Sequence, residues 1–220
     1  MERPLDHDLD RLRHDLLRMG QSVDEMVRDA MRALVETDSN LAERVIRADV
    51  SIDLQEKNLD EASHAVLLRH QPTAGDLRCL IAVMRSTTDL ERVGDAAVNI
   101  AQAVIQLNEE APLERYLDLP KMADLALGQI RASLDAFRRR DVPAALDVCK
   151  KDDDIDRLYE QLFRILVTYM IETPANVRRS LHLLLIARNL ERIADHATNL
   201  AENVVYYVEG LDIRHSGFRK

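Results

Sequence analysis

The sequence predicts an all-α protein built as two tandem antiparallel three-helix bundles, an internal duplication with six long helices. Three observations predict it. The 220 residues contain six Gly, six Pro and no Trp, and only 4% are aromatic, so Leu, Ala, Val, Ile and Met must fill the core; that is a bundle composition and not that of a turn-rich β-protein. Apolar residues recur every three or four positions along most of the chain, the period of a helix face. And the second half repeats the first, residue by residue, at an offset near 100.

Each element follows in order. Leu9, Leu12, Leu16, Met19, Val23, Met26, Ala30 and Ala33 form one seam and one long helix. Thr37-Asp38-Ser39-Asn40 is a cluster of turn and N-capping residues, so a second helix starts there. Its seam is Leu41, Val45, Ala48, Ile52, Gln55, Leu59, Ala62 and Val66. A third helix opens at Pro72-Thr73-Ala74-Gly75-Asp76 and runs to about Leu107, with Pro and Asp both suited to a first turn. Asn108-Glu109-Glu110-Ala111-Pro112 and Pro120 then interrupt the pattern. The predicted boundary divides the chain into a bundle at 1–110 and a second at 111–220. In the second, helices are expected over Pro120–Arg139, Ala144–Ile171 and Thr173–Val208, followed by a polar, loosely held tail from Leu211 to Lys220.

The repeat is explicit. Asp89-Leu90-Glu91-Arg92-Val93-Gly94-Asp95-Ala96-Ala97-Val98-Asn99-Ile100-Ala101 matches Asn189-Leu190-Glu191-Arg192-Ile193-Ala194-Asp195-His196-Ala197-Thr198-Asn199-Leu200-Ala201 at seven of thirteen positions. Ala33, Asp38, Val45, Asp49, Ile52 and Asp53 recur as Ala136, Asp141, Val148, Asp152, Ile155 and Asp156.

Composition excludes several classes of function. The net charge of −9 disfavours nucleic-acid binding, which needs a basic footprint. Cys79 and Cys149 form no CxxC pair, which removes zinc-ribbon and thioredoxin-type sites; Cys79, among Leu77, Leu80 and Ile81, reads as a small core residue. The longest apolar run, Cys79 to Met84, is six residues, against the 20 or so of a membrane span, and the charged N-terminus is not a secretory signal. The expected location is therefore cytoplasmic. There is no GxGxxG, Walker A, HExxH or GxSxG motif. Arg138-Arg139-Arg140 ends a helix, where cations suit the dipole; a solvated face is the plain reading and an anion or acidic-lipid contact the sharper one.

The residues that can carry chemistry are acidic. Glu91, Asp95 and Asn99 are spaced i, i+4, i+8 and share one helix face. Glu191, Asp195 and Asn199 repeat the arrangement. Both rows continue apolar seams: Ile81, Met84 and Thr88 lead into Glu91 and Asp95, and Leu181, Leu184 and Arg188 into Glu191 and Asp195. Helix two adds Asp49, Asp53, Glu56 and Asp60, and the second half answers with Asp152, Asp156 and Glu160. Carboxylates on a packing stripe need partners, and further carboxylates only add repulsion. Arginines or a cation would resolve it, and all-oxygen donors suit iron, manganese, magnesium or calcium. The plainer alternative is a solvated acidic face with surface ion pairs to Arg92 and Arg192, worth about 0–1 kcal/mol each. The second row also carries His196 and Glu202 where the first has Ala96 and Gln102, so the first is expected to be the poorer in ligands, although His196 by itself reads as a structural or surface histidine.

The duplicated Leu-Glu-Arg-(Val/Ile)-(Gly/Ala)-Asp-x-Ala-x-Asn-(Ile/Leu)-Ala motif, with Arg69-His70-Gln71-Pro72-Thr73-Ala74-Gly75-Asp76-Leu77-Arg78 at the second-to-third helix junction, resembles the PhoU family of phosphate-uptake regulators from about Leu5 to Glu209. The resemblance implies two three-helix bundles related by pseudo-twofold symmetry, a homodimer, and a cytoplasmic, non-enzymatic regulator. It implies action with the ATPase subunit of the phosphate ABC transporter and with the phosphate-sensing histidine kinase, restraining uptake and the starvation response. It also implies metal, Fe, Zn, Mn or Mg, on Glu91, Asp95, Asn99, Glu191, Asp195 and Asn199, supported by Asp49, Asp53, Asp152 and Asp156. The competing function is a metal-dependent helical-bundle enzyme or metal-storage protein. Ferritin-like sites use Glu-x-x-His; here Gly94 and Ala194 stand three residues after the glutamates, which disfavours oxygen-activating di-iron chemistry.

Overall fold

The computed structural model describes residues 3–109 and 118–214. Seven α-helices occupy them: α1 Pro4–Glu36, α2 Ser39–His70, α3 Ala74–Asn108, α4 Leu119–Arg139, α5 Val142–Lys150, α6 Asp152–Glu172 and α7 Val177–Glu209. A 3-10 turn, Pro174–Asn176, precedes α7. No strand occurs among the described residues. The predicted domain junction at 110/111 falls outside them, as do the last six residues of the tail.

The first half follows its seams. All eight predicted α1 seam residues are buried. On α2, Leu41, Val45, Ile52, Leu59 and Val66 are buried, whereas Ala48 is exposed. α1, α2 and α3 pack on one another, as three antiparallel neighbours with short connections do. The turn between α1 and α2 uses the residues expected of it. Thr37 ends α1 in the left-handed region, φ 57°, and the Asp38 carboxylate accepts from Leu41 N–H at 3.0 Å, satisfying one of the unpaired first-turn donors.

The duplication holds down to this cap. Arg140 ends α4 with φ 55°, and Asp141 accepts from Ala144 N–H at 3.0 Å, at the positions 103 residues beyond Thr37 and Leu41. One element departs from expectation. The single helix expected over Ala144–Ile171 is split at Lys151 into α5 and α6. The Lys151 carbonyl accepts from Gln129 Nε2 of α4 at 3.0 Å, and the local bonds tighten to i→i−3, with Lys151 N–H donating to Val148. A side chain from another helix thus takes part in the ladder at that point, a recognised cause of a helix break.

The two halves join along α3 and α7, the most extensive helix–helix contact among the described residues. The two helices run antiparallel: Arg78 Nε donates to the Tyr207 carbonyl at 3.4 Å, Asn199 Nδ2 to Asp89 at 3.1 Å, Asn99 Nδ2 to Asn189 at 3.4 Å and Arg178 Nη2 to Gln106 at 3.4 Å. α1 and α4 make a second, smaller junction. There Arg131 of α4 donates through Nε, at 2.6 Å, and Nη2, at 3.2 Å, to Asp24 of α1. Asp24 is 6% exposed and also faces Arg28 at 2.6 Å, so its charge is matched as a buried carboxylate requires.

Candidate functional site

The acidic residues of α2 and α3 form one face. α3 presents its strictly apolar seam, Leu80, Val83, Leu90, Ala97, Ala101 and Val104, to the core. Glu91 and Asp95 stand beside it, half-buried at the margin, while Thr88 and Gln102 of their row are exposed. α2 comes close alongside. A Cβ on Gly94 would sit 3.3 Å from Ile52 Cγ2, a tight approach, and 3.8 Å from Asp49 Oδ1, an ordinary contact, so the absent side chain gives Ile52 its room and Asp49 stands at the same level of α3.

Electrostatics show which acids meet. Burial pushes the Glu91 carboxyl above its ordinary range, and Asp95, Glu56 and Asp53 push it further while Arg92 opposes them. Asp49 is raised by burial and then by Asp53 and Asp95. Glu56 is raised by burial, by Asp53 and Asp60, and by Asp95. Carboxylates of two helices therefore repel one another across one groove. Among the described residues Arg92 serves them: its Nε lies 3.4 Å from Glu91 Oε2 and its Nη1 3.6 Å from Asp95 Oδ2. The structure thus gathers Glu91, Asp95, Asp49 and Asp53, and adds Glu56. Among the described residues no three His, Cys, Asp or Glu side chains are gathered into a ready-made metal cage. The donor set is nevertheless all oxygen, on two adjacent rigid helices, with too little positive charge, and that chemistry fits a hard cation.

The second half differs. Glu191 Oε1 accepts from Arg188 Nη1 at 2.6 Å, and Arg188 also lies over the Tyr159 ring, 5.8 Å from its centroid. The first-half counterparts of Arg188 and Tyr159 are Thr88 and Glu56. Asp195 is half-buried and Asp156 exposed. Asp152 opens α6. This face already carries an arginine on its glutamate and one acid fewer. The expectation that the first row is the poorer in ligands rested on His196 and Glu202. His196 turns to α3, and Glu202 is 6% exposed within α7.

Asn99 and Asn199 also turn away from the acidic faces. Each bonds across the α3–α7 junction, Asn199 to Asp89 and Asn99 to Asn189, and the two bonds exchange under the repeat. Around Asp89 the junction becomes a polar cluster. Asp89 Oδ1 accepts from Asn199 and lies 3.0 Å from His196 Nδ1, and Oδ2 accepts from Asn203 Nδ2 at 3.3 Å. Sequence reasoning passed over Asp89. The signal was there, since Asp89 and Asn189 head the two copies of the motif. Arg138 and Arg139 are held by Asp135, at 2.6 and 2.7 Å, while Arg140 lies over Tyr207. Cys79 and Cys149 are both buried.

Among the described residues the chain is a duplicated helical bundle with acidic helix faces, and that defines its class. Comparison makes the family plain. The PhoU domain matches residues 16–104 and again 119–204, and the chain belongs to the PhoU family. It is 44% identical over 214 residues to the phosphate-specific transport system accessory protein PhoU homolog of Pseudomonas putida, covering 97% of this chain and 84% of the relative. It is 33% identical to the phosphate-specific transport system accessory protein PhoU of Escherichia coli K12, covering 96% and 87%. The crystal structure of PhoU from Pseudomonas aeruginosa superposes with a TM-score of 0.90 at 42% identity, covering 94% of this chain and 99% of that one. PhoU from Streptococcus pneumoniae, a phosphate transport system regulatory protein, gives 0.87 at 31%, covering 94% and 98%.

Proposed function

We propose that this chain is a non-enzymatic negative regulator of phosphate uptake and of the phosphate-starvation response. It works in the cytoplasm as a homodimer, through contacts with the ATPase subunit of the phosphate ABC transporter and with the phosphate-sensing histidine kinase. The observation that carries this reading is end-to-end similarity, 97% of the chain, to proteins named as accessory to phosphate-specific transport. Among the described residues no helix is long and apolar enough to cross a membrane, which agrees with recruitment to the transporter through protein contacts.

In this reading the acidic faces hold metal: Glu91, Asp95, Asp49 and Asp53, with Glu56, in the first half, and Glu191, Asp195, Asp152 and Asp156 in the second. Iron, zinc, manganese or magnesium would supply positive charge between neighbouring helices. The protein's part is to aim carboxylates from α2 and α3 at one groove, close packed at Gly94. Asn99 and Asn199 are better suited to holding α3 against α7.

Deleting the gene tests the regulatory role: phosphatase expression should rise in phosphate-rich medium and fall again on complementation. Unchanged expression refutes it. Elemental analysis of protein purified without chelator tests the metal. Metal per chain should fall in Glu91→Ala/Asp95→Ala, and to a smaller extent in Glu191→Ala/Asp195→Ala. Absence of metal from well-folded wild type would leave the rows as charged surface only.

A further inference from the structure

A second site lies at the far end of the α3–α7 junction. The start of α3, the ends of α4 and α7 and the first turns of α1 enclose a cavity of about 430 Å³ lined by Arg13, Arg78, Arg140, Gly75, Cys79 and Tyr207. Small-ligand pockets range over about 300–1,000 Å³. Its floor is buried: Tyr207 is 6% and Cys79 3% exposed. Arg13 Nη1 donates to the Tyr207 hydroxyl at 3.0 Å. The Arg140 guanidinium stands 5.2 Å from the centre of the Tyr207 ring, and Arg78 spends one donor on the Tyr207 carbonyl.

Three carboxylates also line the cavity, Asp6, Asp10 and Asp76, and each is already engaged. Arg3 donates to Asp76 Oδ2 at 3.1 Å and to Asp6 Oδ1 at 2.5 Å, and this pairing holds the Asp6 carboxyl below its ordinary range. Asp10 is bonded to Arg13. Arg78 and Arg140 are left with no carboxylate partner among the described residues. Gly75 brings the first turn of α3, the positive end of its dipole, to the same space. Two guanidinium forks from opposite halves, a helix N-terminus and a walled cavity are the elements of oxyanion recognition.

We propose that this cavity binds a phosphate-type oxyanion, either free or carried on a small organic monoester, which bridges Arg78 on α3 and Arg140 at the end of α4. Binding there ties the first half of the chain to the second. The proposal rests on neither the regulatory reading nor the acidic faces, none of whose residues line this cavity.

Calorimetric titration of the chelator-treated full chain with orthophosphate, and separately with glycerol 3-phosphate, tests it; the chelator removes any anion bound through metal. Saturable binding is expected, weakened about ten- to a hundredfold by Arg78→Gln and by Arg140→Gln. Arg138→Gln, whose side chain is held by Asp135 and does not line the cavity, should bind as wild type. Tighter binding of the ester assigns the site to an organic monoester; equal or tighter binding of orthophosphate assigns it to the free ion. Melting curves check each variant, and Arg140→Gln, at an exposed helix end, carries the test if Arg78→Gln unfolds. No saturable binding of either probe at millimolar concentration, or binding that survives both substitutions, overturns the proposal.

Discussion

Asp89→Ala should loosen the junction between the two halves. Asp89 is largely buried, its side chain 16% exposed, and its two oxygens meet His196, Asn199 and Asn203 of α7 at 3.0, 3.1 and 3.3 Å. A hydrogen bond to a charged group contributes about 1.5–3 kcal/mol net, but three donors sharing one half-shielded carboxylate do not add independently. The expected loss is about 2–4 kcal/mol, including the cost of leaving the half-buried amide of Asn199 and the buried amide of Asn203 short of an acceptor. In a chain of this size that lowers the melting temperature by roughly 5–12 °C. Asp89→Asn keeps an acceptor oxygen and copies Asn189, which accepts from Asn99 in the related bond; it should recover at least half of the loss. Urea unfolding followed by circular dichroism measures both. If Asp89→Ala unfolds within ~0.5 kcal/mol of wild type, the polar cluster is decoration and the apolar contacts of α3 and α7 hold the halves by themselves.

Other predictions follow from the same geometry. Asp49, Glu56 and Glu91 are held above the ordinary carboxylate range, so between that range and their folded values the native chain binds more protons than the unfolded one. Their effect on metal-free stability is therefore most favourable at low pH and is lost as pH rises through that window. Glu91→Gln should melt close to wild type in acid and above it at neutral pH; a neutral-pH melting temperature at or below wild type contradicts the assignment. Added Mn2+ should raise the melting temperature of wild type and not that of Asp49→Asn/Glu91→Gln, read by scanning calorimetry with and without chelator. Arg131→Met leaves the buried Asp24 carboxylate with Arg28 as its remaining partner and should cost about 1–3 kcal/mol in urea unfolding. Gly94→Leu must displace Ile52 and Asp49 of α2 and should cost about 1–3 kcal/mol, whereas Gly94→Ala, the residue found at Ala194, should stay within about 1 kcal/mol of wild type.

The sequence by itself determined the helices, their number to within one break, their caps and the duplication, because each depends on local spacing and turn chemistry. The α1 seam is buried residue for residue. Asp38 and Asp141, matched in the alignment of the two halves, cap α2 and α5 with the same bond. Periodicity also placed Glu91 and Asp95 beside the core. What it left open is which neighbouring surface each polar residue meets. Asn99 and Asn199 share a helix row with the acids, yet a row eight residues long subtends enough angle to leave one neighbour and reach another, and both bond across to the other half. His196 read as a structural or surface histidine, but its partner, Asp89, is 107 residues away and was not legible. The break at Lys151 depends on Gln129 of another helix, which no local pattern around residue 151 contains. The cavity at Tyr207 likewise joins arginines from α1, α3 and the end of α4. Local propensity acts along the chain, while charge pairing and close approach act through space between segments a hundred residues apart, which the packing of α3 against α7 and of α1 against α4 brings together.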